Sequence, residues 1–246
     1  MKPQRIVSLV PSLTELVFDL GLGSSLSGRT RFCVHPSGRI NEIPVIGGTK
    51  NPRLDRIREI EPDLIIANRE ENRKEDVEAL EKEYPVFLTD IKTIEEALLA
   101  IYELGKWCDA ADPAEKLISQ IQQEMENIPD EPPLEVIYLI WKDPWMSVGG
   151  DTYINSVLRT WKLYNKFEND TTRYPPVVIE YFKDRNPDYI LLSSEPYPFK
   201  EKHKKEILEH CPSCKVLLVD GQWFSWYGSR MLHSFRKLNT FRRAIS

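Results

Sequence analysis

Asp112-Pro113-Ala114-Glu115-Lys116-Leu117-Ile118-Ser119-Gln120-Ile121-Gln122-Gln123-Glu124-Met125-Glu126-Asn127-Ile128-Pro129-Asp130-Glu131-Pro132-Pro133 is the stretch on which the reading of this chain turns. An acid, a proline beside it and a glutamate three residues after the acid mark a helix start. The acid can accept free amide hydrogens, and proline loses nothing at the first helical position. Leu117, Ile118, Ile121, Met125 and Ile128 then recur at helical spacing until the proline-rich run stops the helix. The spacing predicts one long helix over 112–129 with a lobe on each side, residues 1–111 and 130–246.

The two flanks repeat a cassette. Pro52 opens a helix carrying Leu54, Ile57 and Ile60, which ends at Pro62-Asp63 and runs straight into Leu64-Ile65-Ile66. Pro176 opens a second one carrying Val178, Ile179 and Phe182, which ends at Pro187-Asp188 and runs into Tyr189-Ile190-Leu191. Local chemistry explains each copy, since proline stops a helix and a short loop drops into a buried strand, but it does not explain the duplication. Two similar lobes do.

Short Val- and Ile-rich runs alternate with helical patterns elsewhere. Strands are expected at 6–10, 45–47, 64–67, 86–89, 136–141, 189–193 and 216–220, and helices at 13–20, 52–60, 74–83, 94–108, 153–159, 178–184, 202–210 and 231–241. Strands separated by helices need crossover connections, so the class is α/β with mostly parallel sheets.

Composition narrows the function. The chain has 246 residues, 41% hydrophobic and 29% charged, which is globular and room for one or two domains. A net charge of −5 argues against a nucleic-acid partner, which would need a basic face. The basic stretch Lys200 to Lys205 reads as a solvated helix. No apolar run approaches the roughly 18 to 20 residues of a membrane span, so a soluble protein is expected; a monomer is the expected state. The run Ile6 to Val10 is too short for a secretory signal. That predicts a cytoplasmic protein if Met1 is the native start and a periplasmic one if a leader was removed.

The four cysteines, Cys33, Cys108, Cys211 and Cys214, are too few for a disulfide framework and are expected as free thiols. Cys211-Pro212-Ser213-Cys214 has redox spacing but follows a helix and precedes a strand, the reverse of the usual placement. A thiol redox enzyme, or half a zinc site, stays open as an alternative. No phosphate loop, nucleophile elbow or zinc-protease motif is present, so a non-catalytic binding protein is the first reading.

Ligands of such folds bind where strand-end loops converge, which here is a cleft shared by the lobes. After the first strand, Ser12 and Glu15 are spaced for a capping box, and the helix start offers amides to an anion. In Arg31-Phe32-Cys33-Val34-His35 an extended backbone would put Arg31, Cys33 and His35 on one face. Cys33 and His35 suit a borderline metal ion, or axial contact to a metal carried by the ligand, with Glu195 as a third donor. Trp141 and Trp145 follow one strand of the second lobe and Glu195 and Tyr197 another. The last strand leads into Gln222-Trp223-Phe224-Ser225-Trp226-Tyr227-Gly228-Ser229-Arg230, four of whose residues 223–227 are aromatic. Broad rings there suit a large planar ligand, with Trp223, Trp226 and Tyr227 lining it. Arg230 is placed to meet a ligand anion or a neighbouring acid.

Arg5-Ile6-Val7-Ser8-Leu9-Val10-Pro11-Ser12-Leu13-Thr14-Glu15-Leu16 resembles the opening of the periplasmic cobalamin-binding proteins. Ile46-Gly47-Gly48, Asn51-Pro52-Arg53-Leu54-Asp55-Arg56-Ile57, Pro62-Asp63-Leu64-Ile65-Ile66-Ala67, Asn186-Pro187-Asp188-Tyr189-Ile190 and Gln222-Trp223-Phe224 continue the match in order. The wider superfamily comprises the helical-backbone receptors of ABC importers. The resemblance implies two lobes on a single backbone helix, holding cobalamin or a related metal chelate as ligand, with no intrinsic cofactor and no reaction. It implies an ABC permease as partner, met through an exposed glutamate on each lobe, for which Glu70, Glu71 or Glu75 and Glu201 are the approximate counterparts. Trp223 corresponds to a cleft tryptophan of the cobalamin binders. Asn68, counted among the lining residues, replaces an aromatic that those relatives can carry.

Overall fold

The computed structural model describes residues 2–246. The chain divides into two compact units: 1–91, 95–123 and 227–232 form the first, and 92–94, 124–226 and 233–246 the second.

The first unit begins with β1 (Ile6–Ser8), α1 (Pro11–Asp19), β2 (Leu26–Arg29), α2 (Leu54–Ile60) and β3 (Leu64–Asn68). It continues with α3 (Lys74–Glu81), β4 (Val86–Thr89) and most of α4 (Ile94–Trp107) and α5 (Ala111–Glu126). Its sheet has the order β2-β1-β3-β4, all pairs parallel. The second unit holds β5 (Leu134–Leu139), α6 (Tyr153–Thr160), β6 (Leu163–Asn165), α7 (Phe182–Arg185) and β7 (Tyr189–Ser193). α8 (Glu201–His210), β8 (Val216–Val219), α9 (Gln222–Ser225) and most of α10 (Arg230–Ala244) complete it. Its sheet runs β6-β5-β7-β8, again parallel, so the two units share one strand order.

The repeated cassette has a physical purpose. α2 ends on Glu61 in a left-handed conformation and the short helix α7 ends on Asn186 in the same conformation, each followed by proline. The aspartate after each proline then binds the start of the neighbouring strand. Asp63 accepts the backbone N–H groups of Gln4 and Arg5 at 2.8 and 2.9 Å, and its own N–H donates to the Arg5 carbonyl. Asp188 accepts the N–H of Glu135 at 2.7 Å and donates its N–H to the Glu135 carbonyl at 2.7 Å. Each dipeptide therefore ends a helix and sets the register of the two central strands, Ile6 against Leu64 and Val136 against Tyr189.

Several elements differ from the sequence reading. The edge strands β2 and β6 are not among the expected strands, and the expected strand at 45–47 is reduced to two isolated bridges, Val45 to Arg29 and Gly47 to Pro52. β2 reads Leu26-Ser27-Gly28-Arg29, with one apolar side chain and so no strand pattern. Gly28 is there because a Cβ would lie 2.9 Å from Ile60 and 3.2 Å from Val7. The first part of the aromatic run after β8, expected as a loop, forms α9, with Trp226 and Tyr227 beyond its end. α5 covers Ala111–Glu126, so Asp112 and Pro113 lie inside its first turn and the helix stops before Pro129, whose ring disfavours helical geometry at Ile128. Thr152 caps α6, accepting the N–H of Asn155 at 3.2 Å. At the C-terminus, Arg242 is buried, its guanidinium donating to the carbonyls of Trp161 and Pro132, which fastens α10 to the base of β5.

Asp63→Ala and Asp188→Ala should each lower stability by about 1 kcal/mol in urea unfolding. Asn at either position keeps an acceptor oxygen and should recover part of that loss.

Candidate functional site

In the first unit the carboxyl end of β1 passes directly into α1. Val10 is its N-cap and Pro11 the first helical residue, so Ser12 lies within the first turn and the expected Ser12–Glu15 capping box does not form. Glu15 instead grips Arg230 with two bonds, Nε to Oε2 at 2.9 Å and Nη2 to Oε1 at 2.5 Å, and both side chains are 14% exposed. Burial raises the pKa of the Glu15 carboxyl, and the guanidinium pulls it part of the way back. The residues just before Arg230 pack on the same unit. The Tyr227 hydroxyl donates to Glu71 at 2.8 Å, and Tyr227 is itself buried. Burial first, then the Glu71 charge, drives its phenol well above the ordinary range. Gly228, at φ 82°, supplies the left-handed turn between them.

Asn68 closes β3 and is buried. Its Oδ1 accepts the N–H groups of Glu70 and Glu71 at 2.8 and 3.1 Å, and its Nδ2 donates to Thr89 of β4 at 3.0 Å. Asn72 accepts the Asn68 N–H and donates to the carbonyls of Leu9 and Thr49. Four neighbouring segments are thus tied together, and Glu71 is aimed at Tyr227.

The expected row of Arg31, Cys33 and His35 does not form, because Arg31 and Phe32 lie in a turn rather than in extended chain. Cys33 is buried with Sγ 3.1 Å from the Thr14 hydroxyl and 3.2 Å from that of Thr30, Arg31 is exposed, and His35 is half-buried. Burial pushes the Cys33 thiol up in pKa, against the threonine hydrogen bonds. Arg29 organises the loop from inside, donating to the carbonyls of Thr30, Cys33 and Ile43. What the loop presents to solvent is Phe32 and Val34, each 49% exposed, with the Arg31 guanidinium 5.1 Å from the Phe32 ring centroid. Among the described residues no group of three or more His, Cys, Asp or Glu side chains could hold a metal ion.

In the second unit β5 ends in a tight reversal in which the Met146 N–H donates to the Trp141 carbonyl and the Ile140 N–H to the Met146 carbonyl, each at 3.0 Å, so that Trp141 and Trp145 belong to one turn. Trp141 meets Tyr197 edge to face at 5.7 Å, Tyr197 meets Phe199 at 4.8 Å, and Phe199 stacks on Trp145 at 5.6 Å. Lys142 lies 4.9 Å from the Trp145 centroid and pairs with Glu206 of α8. Three of the expected lining residues, Trp141, Trp145 and Tyr197, thereby form one group at the carboxyl ends of β5 and β7. Glu195 joins a different one. Its Oε1 accepts the Trp226 indole N–H at 2.7 Å and the Ser225 hydroxyl at 2.8 Å, holding the end of α9. Trp223 lies apart, 6.3 Å from Phe241. Trp223 and Trp226 are half-buried, whereas Phe224 and Tyr227 are buried.

Residues that sequence reasoning did not single out include Arg29, Lys142, Phe199, Glu206 and His203. Lys142 and Glu206 meet only through the fold, 64 positions apart, whereas Arg29 and His203 bond mainly to groups a few residues away and carry no motif that marks them. The Cys211–Cys214 pair also departs from expectation. It is a disulfide, because the turn in which the Cys214 N–H donates to the Cys211 carbonyl sets the Cα atoms 5.4 Å apart, within disulfide reach.

A family model described as periplasmic binding protein matches residues 6–212. The chain belongs to this family, and it is a binding protein that catalyses no reaction. It is 24% identical over 251 residues to the vitamin B12-binding protein of Pectobacterium carotovorum subsp. carotovorum (strain PC1), covering 99% of this chain and 90% of that one. The crystal structure of the periplasmic vitamin B12 binding protein BtuF of Vibrio cholerae superposes with a TM-score of 0.83 at 20% identity, covering 99% and 98% of the two chains. The periplasmic heme-binding protein RhuT from Roseiflexus sp. RS-1, in apo form, gives 0.84 at 19%, covering 99% of each. The α/β fold of two parallel sheets expected from the sequence is therefore present. Among the described residues, no helix is long and apolar enough to cross a membrane.

Cys33 and Cys108 should resist thiol reagents in the folded protein at pH 8, because burial raises both thiols, Cys108 to about 11. A colorimetric thiol count should find no fast-reacting group in the native chain. Denaturation without reductant should release two thiols, and with reductant four.

Proposed function

We propose that this chain captures a metal-bearing tetrapyrrole, a corrinoid or a haem, and presents it to an ABC permease. The observation that carries this is the aromatic group at the carboxyl ends of β5 and β7, where Trp141 is 41% exposed beside Tyr197 and Trp145. Flat rings of that kind match a macrocycle's dispersion surface, and Trp226, held by Glu195, adds another. The likeness to a vitamin B12-binding protein and to B12- and haem-binding structures supports the same ligand class. Residues 1–111 and 130–246 serve as the two functional lobes, the helix predicted over 112–129 connects them, and the chain works as a monomer.

His35, half-buried, is the side chain proposed for axial contact to the ligand's metal. A bare-metal receptor is disfavoured, since the Cys33 thiol is enclosed by Thr14 and Thr30. Thiol redox catalysis is disfavoured by the family. The Cys211–Cys214 bond suits an oxidising compartment and so supports work outside the cytoplasm. For the permease contact, Glu75 and Glu201 occupy equivalent places, each exposed in the first turn of the helix that follows the third strand of its unit.

Calorimetric and absorption titrations with cyanocobalamin and with hemin test the ligand class. One of them should bind at about micromolar or tighter, near −8 kcal/mol, and Trp141→Ala and Trp226→Ala should each weaken it about tenfold. No binding of either up to about 1 mM would end the proposal. With a reconstituted cognate permease, Glu75→Ala combined with Glu201→Ala should retain ligand affinity and lose stimulation of ATP hydrolysis.

A further inference from the structure

His203 lies in the first turn of α8 and is 3% exposed. Its Nδ1 accepts the backbone N–H of Lys200 at 2.9 Å, so the neutral ring carries its hydrogen on Nε2, which lies 3.4 Å from the Tyr197 hydroxyl. The ring meets Tyr197 edge to face at 5.4 Å and Phe199 likewise at 5.5 Å. Tyr197 in turn supports Trp141, and Phe199 supports Trp145. One imidazole therefore braces both halves of the aromatic group and caps the helix beneath it.

That bracing needs the neutral form. A proton on Nδ1 would face the Lys200 N–H with a second donor and break the contact. The charged groups around the ring are Lys200, Lys202 and Glu206 from α8 and its cap, and Lys142 from the end of β5, with Tyr197 from the loop after β7. Burial, then Lys202 and Lys142, hold the imidazole below its ordinary pKa, with Glu206 opposing.

We propose that His203 is a positioning residue for ligand capture: neutral, it fixes Tyr197 and Phe199 and through them Trp141 and Trp145, and its protonation loosens this wall and releases ligand. The release step rests on the tetrapyrrole reading above, while control of the wall does not. Because the folded pKa is depressed, the neutral ring's support is complete above the unfolded value of about 6.5. It is lost as pH falls through the folded value.

The test follows the ligand-free protein from pH 8 to 4.5 by near-ultraviolet circular dichroism, tryptophan fluorescence and NMR titration of the His203 ring, with far-ultraviolet dichroism to mark unfolding. The expected result is an aromatic transition below pH 6.5 that tracks His203 while the helices remain, and that is absent in His203→Gln. Where hemin or cyanocobalamin binds, its affinity should fall about tenfold across that transition in the wild type and stay flat in the variant. An aromatic signal that ignores the His203 titration, or the same transition in His203→Gln, would overturn the proposal. Should His203→Gln not fold, the NMR and aromatic titrations of the wild type still decide it. Failure of both ligands to bind would remove the tetrapyrrole reading and leave the ligand-free titration to judge the wall.

Discussion

The hydrogen bonds from a strand's first amides to an aspartate one strand away hold each unit in register. Asp63 clamps the entry of β1 and Asp188 that of β5, and each sits where a left-handed residue and a proline have just ended a helix. A parallel pair has no hairpin to set its alignment, and a slip of one residue would turn every side chain to the other face. With alignment set at the amino ends, the carboxyl ends of β1, β3, β5 and β7 emerge at defined heights, and Ser12, Glu15, Asn68, Glu71, Trp141, Trp145, Glu195 and Tyr197 lie at or follow those ends.

The two units spend that geometry differently. The first builds a polar lattice in which Asn68, Asn72 and Thr89 knit strand ends together while Glu71 and Glu15 receive Tyr227 and Arg230. These groups satisfy one another, as buried polar atoms must, while the loop after β2 turns Arg31, Phe32 and Val34 outward. The second unit builds an aromatic lattice from Trp141, Trp145, Tyr197 and Phe199 around His203, with Lys142 and Glu206 at its margin. Rings in contact lose little conformational entropy on meeting a flat ligand, which suits capture over chemistry.

The candidate site was legible in the sequence where a residue's neighbours lie along the chain. Trp141, Trp145 and Tyr197 follow strands that announce themselves by Val and Ile content, so their place at strand ends could be read directly. Arg230 could not be assigned, because its partner Glu15 is 215 positions away. Cys33 misled, since an alternating pattern suggests a shared face only if the backbone is extended, and here it turns. Glu195 reads as a donor for metal by type, yet the Trp226 indole and the Ser225 hydroxyl occupy its Oε1.

By itself the sequence determined the α/β class, the duplication, the central strands and most helices, because those rest on apolar periodicity and on proline and aspartate acting within a few residues. Only the tertiary structure decided the edge strands β2 and β6, the helical form of 222–225, the bond between Cys211 and Cys214 and the pairing of each buried charge. The edge strands and the buried charges depend on which distant segments share a boundary, where desolvation selects the partner, while the Cys211–Cys214 bond and the 222–225 helix rest on local turns that apolar periodicity does not encode.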